Sequence, residues 1–203
     1  MENVLYSTIS QKRYDFKNFN SANGTQFLCE TAQNDYLHTL YYPLGKKEGK
    51  ALEKIMKALK KDGEKLSEYV NFLSEHNGAI LYGGSVVLFG FAERSMSLDE
   101  PVSLIEENER DGVSKRLNRV IYIGNAPYIK GGNVNFYFNV ISGCVTAFYD
   151  NQIIYTWFSI KEFCEHILRF YDDKYLTNGR NKYYNEKEHG VWHNIQLWDL
   201  EEA

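Results

Sequence analysis

The chain has 203 residues, 43% of them hydrophobic and 25% charged, with a formal net charge of −4 and a pI of about 5.8. Those figures describe one ordinary globular domain, alone or with extensions, and the acidic balance argues against general nucleic-acid binding, which needs positive charge to displace counterions from phosphates. No signal peptide or apolar run of membrane-spanning length is visible, and the three cysteines, Cys29, Cys144 and Cys164, are odd in number and far apart, so the expectation is a cytoplasmic protein with reduced cysteines and no membrane partner.

Residues 1–45 read as an N-terminal extension that packs on the domain. Asn18 to Gly24 is turn-rich, and Thr25–Glu30 reads as a short strand. Tyr36, Leu37, Leu40 and Tyr41 have helical spacing, cut off by Pro43 and Gly45. A helix follows, with Leu52, Ile55, Met56 and Leu59 on one face. From Lys46 to Lys65 there are eight lysines against four acids, a local net of +4. Such a face either stays in solvent or binds an anion or an acidic partner. Lys61-Asp62-Gly63 turns into a second helix, forming a hairpin.

In that second helix Leu66, Tyr69, Val70 and Leu73 repeat at i, i+3, i+4, i+7, with Phe72 beside them, a broad apolar face that requires a sheet to cover it. Asn77-Gly78 reads as its C-cap, since Gly and Asn tolerate the left-handed conformation. Strands then dominate. Ala79–Tyr82 and Ser85–Phe91 flank Gly83-Gly84, and Arg119–Asn125 reads as a buried strand. In Asn133–Val140 the residues Val134, Phe136, Phe138 and Val140 alternate with Asn133, Asn135, Tyr137 and Asn139, which predicts one buried and one wet face. Cys144–Tyr149 and Gln152–Trp157 complete an antiparallel meander around Asp150-Asn151. Ser159 and Glu162 form a capping box for a last helix, with an apolar stripe through Ile160, Phe163, Cys164, Ile167, Leu168 and Tyr171. Residues 173–203 read as a C-terminal extension, expected to be ordered because Trp192 and Trp198 are costly to leave in water. The fold class expected for residues 46–172 is α+β: an antiparallel β-sheet with helices packed mainly on one face.

No catalytic constellation emerges. His189 and His193 are four apart, but no Glu follows the first, and Gly190 and Val191 weaken a helix there. His76 suits the carbonyl end of a helix, and Cys164 and His166, two apart, do not face each other. Gly83-Gly84 and Gly131-Gly132 fit neither a P-loop nor a dinucleotide fingerprint. No cofactor and no metal site is expected, and the chain reads as a binding protein rather than an enzyme.

The order of elements, together with Tyr69, Phe72, Leu73, Asn77 and Gly78, then Ile123-Gly124, Gly131-Gly132, Gly143, Val145, Asp150, Ser159 and Phe163, resembles the SUKH superfamily, the Smi/Knr-like immunity-protein fold. The resemblance covers about residues 50–172. Lys65-Leu66 stands where Leu-Pro often precedes the helix, and Tyr128–Asn133 lacks the acids common in that turn. The resemblance implies a SUKH-like fold in which Tyr69, Phe72, Leu73, Asn77, Gly78, Gly124 and Asp150 are structural. It also implies a cytosolic bacterial immunity protein that binds and neutralises a polymorphic or contact-dependent toxin, often a nuclease, with a basic surface. The alternative is a regulatory scaffold that binds a cell-wall-synthesis or signalling partner; a small-molecule-binding or hydrolytic domain is a third class. Raised by that resemblance, the expected partner surface is the connection Glu93–Asp111, with seven acids against two arginines, a local net of −5. Asp99, Glu100, Glu106, Glu107 and Glu109 would supply charge complementarity to a nuclease groove, with Tyr137 as an anchor. The plain alternative is a solvated loop, helical over Val102–Asn108.

Overall fold

The computed structural model describes residues 5, 9, 16–21, 24–29, 36–43, 48–92, 100–127 and 132–174. Among the described residues nine strands form one antiparallel sheet in chain order: β1 (Phe16–Ser21), β2 (Gly24–Cys29), β3 (Tyr36–Tyr41), β4 (Ala79–Leu81), β5 (Val86–Leu88), β6 (Val120–Pro127), β7 (Asn133–Asn139), β8 (Val145–Tyr149) and β9 (Gln152–Trp157). The helices are α1 (Glu48–Leu59), α2 (Leu66–Glu75), α3 (Leu104–Arg110), α4 (Gly112–Arg116) and α5 (Ile160–Lys174). The α+β class therefore holds. The tail from residue 175 onward, with His189, His193, Trp192 and Trp198, lies outside the described residues.

The apolar face of α2 lies where its spacing places it. Leu66, Tyr69, Val70, Phe72 and Leu73 are all buried, and the Tyr69 ring stacks 5.5 Å from Phe138 of β7. From α5, Phe163 meets Phe136 of β7 at 4.9 Å and Trp157 of β9 at 5.0 Å. Both long apolar stripes thus cover the same sheet face, each buried large side chain contributing about 1.5–3 kcal/mol. Tyr82 joins the layers, its hydroxyl donating to the Leu168 carbonyl at 2.9 Å while its ring stacks on Tyr171.

Three local expectations are corrected. Tyr36–Tyr41 is a strand, paired to β2 along its length and to β4 through Thr39 and Leu40. Its His38, Thr39, Leu40 and Tyr41 are all buried. A strand covered on both faces loses its period of two, which is why it imitated a helix. It follows that Phe16–Ser21, Gly24–Cys29 and Tyr36–Tyr41 are not a layer packed on the domain but three strands of its sheet. Finally, α2 has no left-handed cap: it ends at Glu75, and His76 is extended (φ −145°, ψ 124°).

Asn77-Gly78 does a different job. The Asn77 side-chain amide pairs with the backbone of Phe91 in both directions: Nδ2 donates to the Phe91 carbonyl at 3.1 Å, and Oδ1 accepts from its N–H at 2.6 Å. Gly78 takes φ +88°, and a Cβ there would lie 2.8 Å from both the Gly90 nitrogen and the Leu88 oxygen. Gly90 has no room either, since its Cβ would meet the Asn77 oxygen at 2.1 Å. Asp150 and Asn151, at φ 49° and 61°, form the two-residue loop between β8 and β9 that Tyr149↔Gln152 pairing requires, a left-handed pair that Asp and Asn tolerate. Gly124 lies beside β5, where a Cβ would meet the Val87 oxygen at 2.3 Å.

Replacing Asn77 by Ala leaves both Phe91 groups without their partner, and urea unfolding should show a loss of about 2 kcal/mol; an unchanged midpoint contradicts the pairing. Acid should act through His76. Burial lowers its imidazole from 6.5 to about 4, with the Tyr41 backbone opposing. The unfolded chain therefore binds the proton more readily, so stability is full above about pH 6.5 and falls towards pH 4, by on the order of 2–3 kcal/mol. His76→Gln should flatten that fall in urea midpoints measured across this range.

Candidate interaction surface

The acidic connection returns to the sheet at Gly90, whose N–H donates to the Val102 carbonyl at 3.0 Å while its own carbonyl accepts from Leu104 at 2.9 Å. Ser103 then caps α3, its hydroxyl accepting from the Glu106 N–H at 3.2 Å. Glu106 and Glu107 sit in the first turn, where carboxylates favour the helix dipole. Arg110 reaches back to both, at 3.9 Å and 3.2 Å. Glu109 is exposed and Glu100 half-buried; Asp99 lies outside the described residues, as do Glu93 and Arg94. Asp111 is committed inward: its carboxylate accepts from the Ser114 N–H to cap α4 and from the Tyr137 hydroxyl at 2.9 Å.

Four bases accompany these acids. Over residues 100–119 the acids Glu100, Glu106, Glu107, Glu109 and Asp111 face Arg110, Lys115, Arg116 and Arg119, leaving a local net of −1. Among the described residues only Arg110 of these bases pairs with the acids, so Glu100–Asp111 keeps five acids against one arginine, a local net of −4.

Tyr137 is not a surface anchor. It is 1% exposed, on the face opposite Phe136 and Phe138, beneath the α3–α4 corner. Its ring stacks on Tyr122, 5.2 Å away, and meets Phe148 edge-on at 5.0 Å. Burial, followed by the Asp111 charge, raises its phenol above the ordinary value. Tyr122, pushed up to about 12 by burial, accepts from Asn125 at 2.9 Å and donates to Asn135 at 3.0 Å. The second sheet face is therefore covered by this corner beside β6 rather than wet along its length. Alternation alone could not reveal that, because the covering residues come from a connection some 25 positions earlier.

The corner is pinned by polar groups that no motif announced. Asn108 pairs with Tyr122 as Asn77 does with Phe91: Nδ2 donates to the Tyr122 carbonyl at 2.7 Å and Oδ1 accepts from its N–H at 2.8 Å. This satisfies the edge of β6 where β5 has ended, since β5 pairs with β6 through Val87 and Leu88 and Phe89 adds a last bond to the Ile123 carbonyl at 2.9 Å. Ser114 donates to the Asn108 Oδ1 at 2.6 Å. Lys61, 5% exposed, donates to the Ser114 and Leu117 carbonyls. Burial pulls its ammonium below the ordinary value, with Asp111 opposing.

Exposed large apolar side chains lie elsewhere; Ile153, 63% exposed, stands beside the β8–β9 loop and Tyr42, 42% exposed, follows β3. Leu117 is 47% exposed, Ile141 40% and Phe158 80%. All three lie at one end of the sheet, where β6 begins beside the end of β7 (Val120↔Asn139) and β9 finishes beside the start of β8 (Val145↔Trp157). With neighbouring strands about 4.8 Å apart, they form a short rim. Arg116, Arg119 and Lys161 stand near it in sequence, all exposed.

Among the described residues no three His, Cys, Asp or Glu side chains gather as a metal site, and no described helix is long and apolar enough to cross a membrane. No protein-family model, curated protein or solved structure matches the chain.

Replacing Tyr137 by Phe tests its buried role. The variant should lose about 1 kcal/mol of stability in urea, the worth of the Asp111 hydrogen bond, and bind any captured partner as tightly as the parent; a large loss of affinity at unchanged stability would restore Tyr137 to the interface.

Proposed function

We propose that this chain is a non-enzymatic binding protein of the SUKH immunity type, which neutralises a toxin by covering its active surface stoichiometrically. One observation carries the choice of a protein partner: Phe158, Ile141 and Leu117, three of the five large apolar side chains exposed among the described residues, lie at one end of the sheet. Isolated exposed apolar residues are ordinary, but a grouped set with a polar border is the composition of a docking surface. An aromatic ring standing in solvent at the head of a capped helix has the form of an interface anchor.

On this reading the primary contact lies at the rim rather than on α3. Of the acids, Glu109 has the least intramolecular use, and Glu100, Glu106 and Glu107 would steer association more than hold the complex. The order of elements and the SUKH-like residues on α2, β6 and the β8–β9 loop support the immunity reading; the wall-synthesis or signalling scaffold is its competitor.

Tagged protein incubated with lysate of the source organism, with captured proteins identified by mass spectrometry, distinguishes the two. A single partner with a toxin domain, inhibited at one-to-one stoichiometry and released at least about tenfold faster by Phe158→Lys, supports immunity. A wall-synthesis or signalling enzyme in its place overturns it.

A further inference from the structure

A cleft opens between the end of α1 and the α3–α4 corner, away from the apolar rim's β8–β9 end. Its volume is about 280 Å³, close to the lower end of small-ligand sites, about 300 Å³. Three lysines from two distant segments line it, Lys60 and Lys61 beyond α1 and Lys115 on α4, with Glu109 as the one lining carboxylate. The cleft therefore carries a net of +2 in a chain of net −4.

These lysines are not in equivalent states. Lys61 is buried and spends two of its three N–H bonds on the Ser114 and Leu117 carbonyls. Lys60 and Lys115 are exposed, and among the described residues neither forms an ion pair with a carboxylate. Lys60 adopts φ 53°, turning the chain sharply as α1 ends. An anion entering this concave site would meet both exposed ammonium groups. Asn118 adds a neutral amide to the lining.

We infer that the Lys60–Lys61–Lys115 cleft binds the phosphate group of a small phosphorylated molecule. Lysines are compact, strongly hydrated point charges, a form in which proteins commonly bind phosphate. The volume accommodates a phosphate with a small substituent. A nucleic acid would require a basic track rather than one short cleft.

Calorimetry with inorganic pyrophosphate, at fixed ionic strength on the full chain, tests this. One saturable site is expected, weakened at least about tenfold in the double variant Lys60→Gln, Lys115→Gln. The equally charged control Lys50→Gln, Lys57→Gln, on exposed positions of α1, should bind like the parent. Lys61 is left intact because its loss would unfasten α4. No saturation at about 1 mM, or equal weakening in both double variants, would overturn the site. Ribose 5-phosphate should compete with pyrophosphate; a short single-stranded oligonucleotide that competes better, and depends on the same two lysines, would overturn the small-molecule assignment.

Discussion

The side-chain amide of Asn77, paired in both directions with the backbone of Phe91, is the contact on which the rest of the fold depends. It joins the end of α2 to the point where the chain leaves β5. With Gly78 and Gly90 too close to admit a Cβ on either, the segment has one route out of the sheet. That route leads to Ser103, whose hydroxyl also donates to Ala92 at 2.7 Å, and so fixes where α3 starts. Asn108 then repeats the device on Tyr122. Two asparagines thus act as short pieces of strand, satisfying ladder groups that β5 is too short to reach. A bare edge would otherwise invite pairing with another chain.

What could be read in the sequence was local. The i, i+3, i+4, i+7 spacing of Leu66, Tyr69, Val70 and Leu73 fixed α2 and its buried face because helix period and burial agree there. The Asp150-Asn151 loop was legible because a two-residue hairpin demands positive φ. In the Ser159 capping box, the hydroxyl accepts from Glu162 at 3.1 Å and Glu162 answers by accepting from Phe158 at 2.9 Å. What escaped depended on distant partners. β3 hid its period because both faces are covered. Tyr137 seemed wet until α3 and α4 folded over it. Asn77 was read as a cap, when its use is a contact 14 residues ahead.

The surfaces divide in a way composition did not foretell. Glu106 and Glu107 of α3 are paired by Arg110, while Asp111 points inward to Tyr137. What remains open is apolar at the Leu117–Ile141–Phe158 end and basic in the α1–α4 cleft. Leu117 follows α4 directly, and its carbonyl holds the buried Lys61, so the apolar rim and the basic cleft share one short helix. Whatever binds either one acts on an element pinned by the same polar cluster.

Amide hydrogen exchange at Phe91 and Tyr122, compared with Phe136 in the middle of the sheet, bears most directly on this arrangement. Both amides donate to a side chain rather than to a strand. If the asparagines truly extend the ladder, they should exchange as slowly as Phe136, through opening of the whole sheet. Exchange at the rate of an exposed loop at either position would mean that the amide pairs are not maintained in solution and that the corner over Tyr137 is not fixed by them.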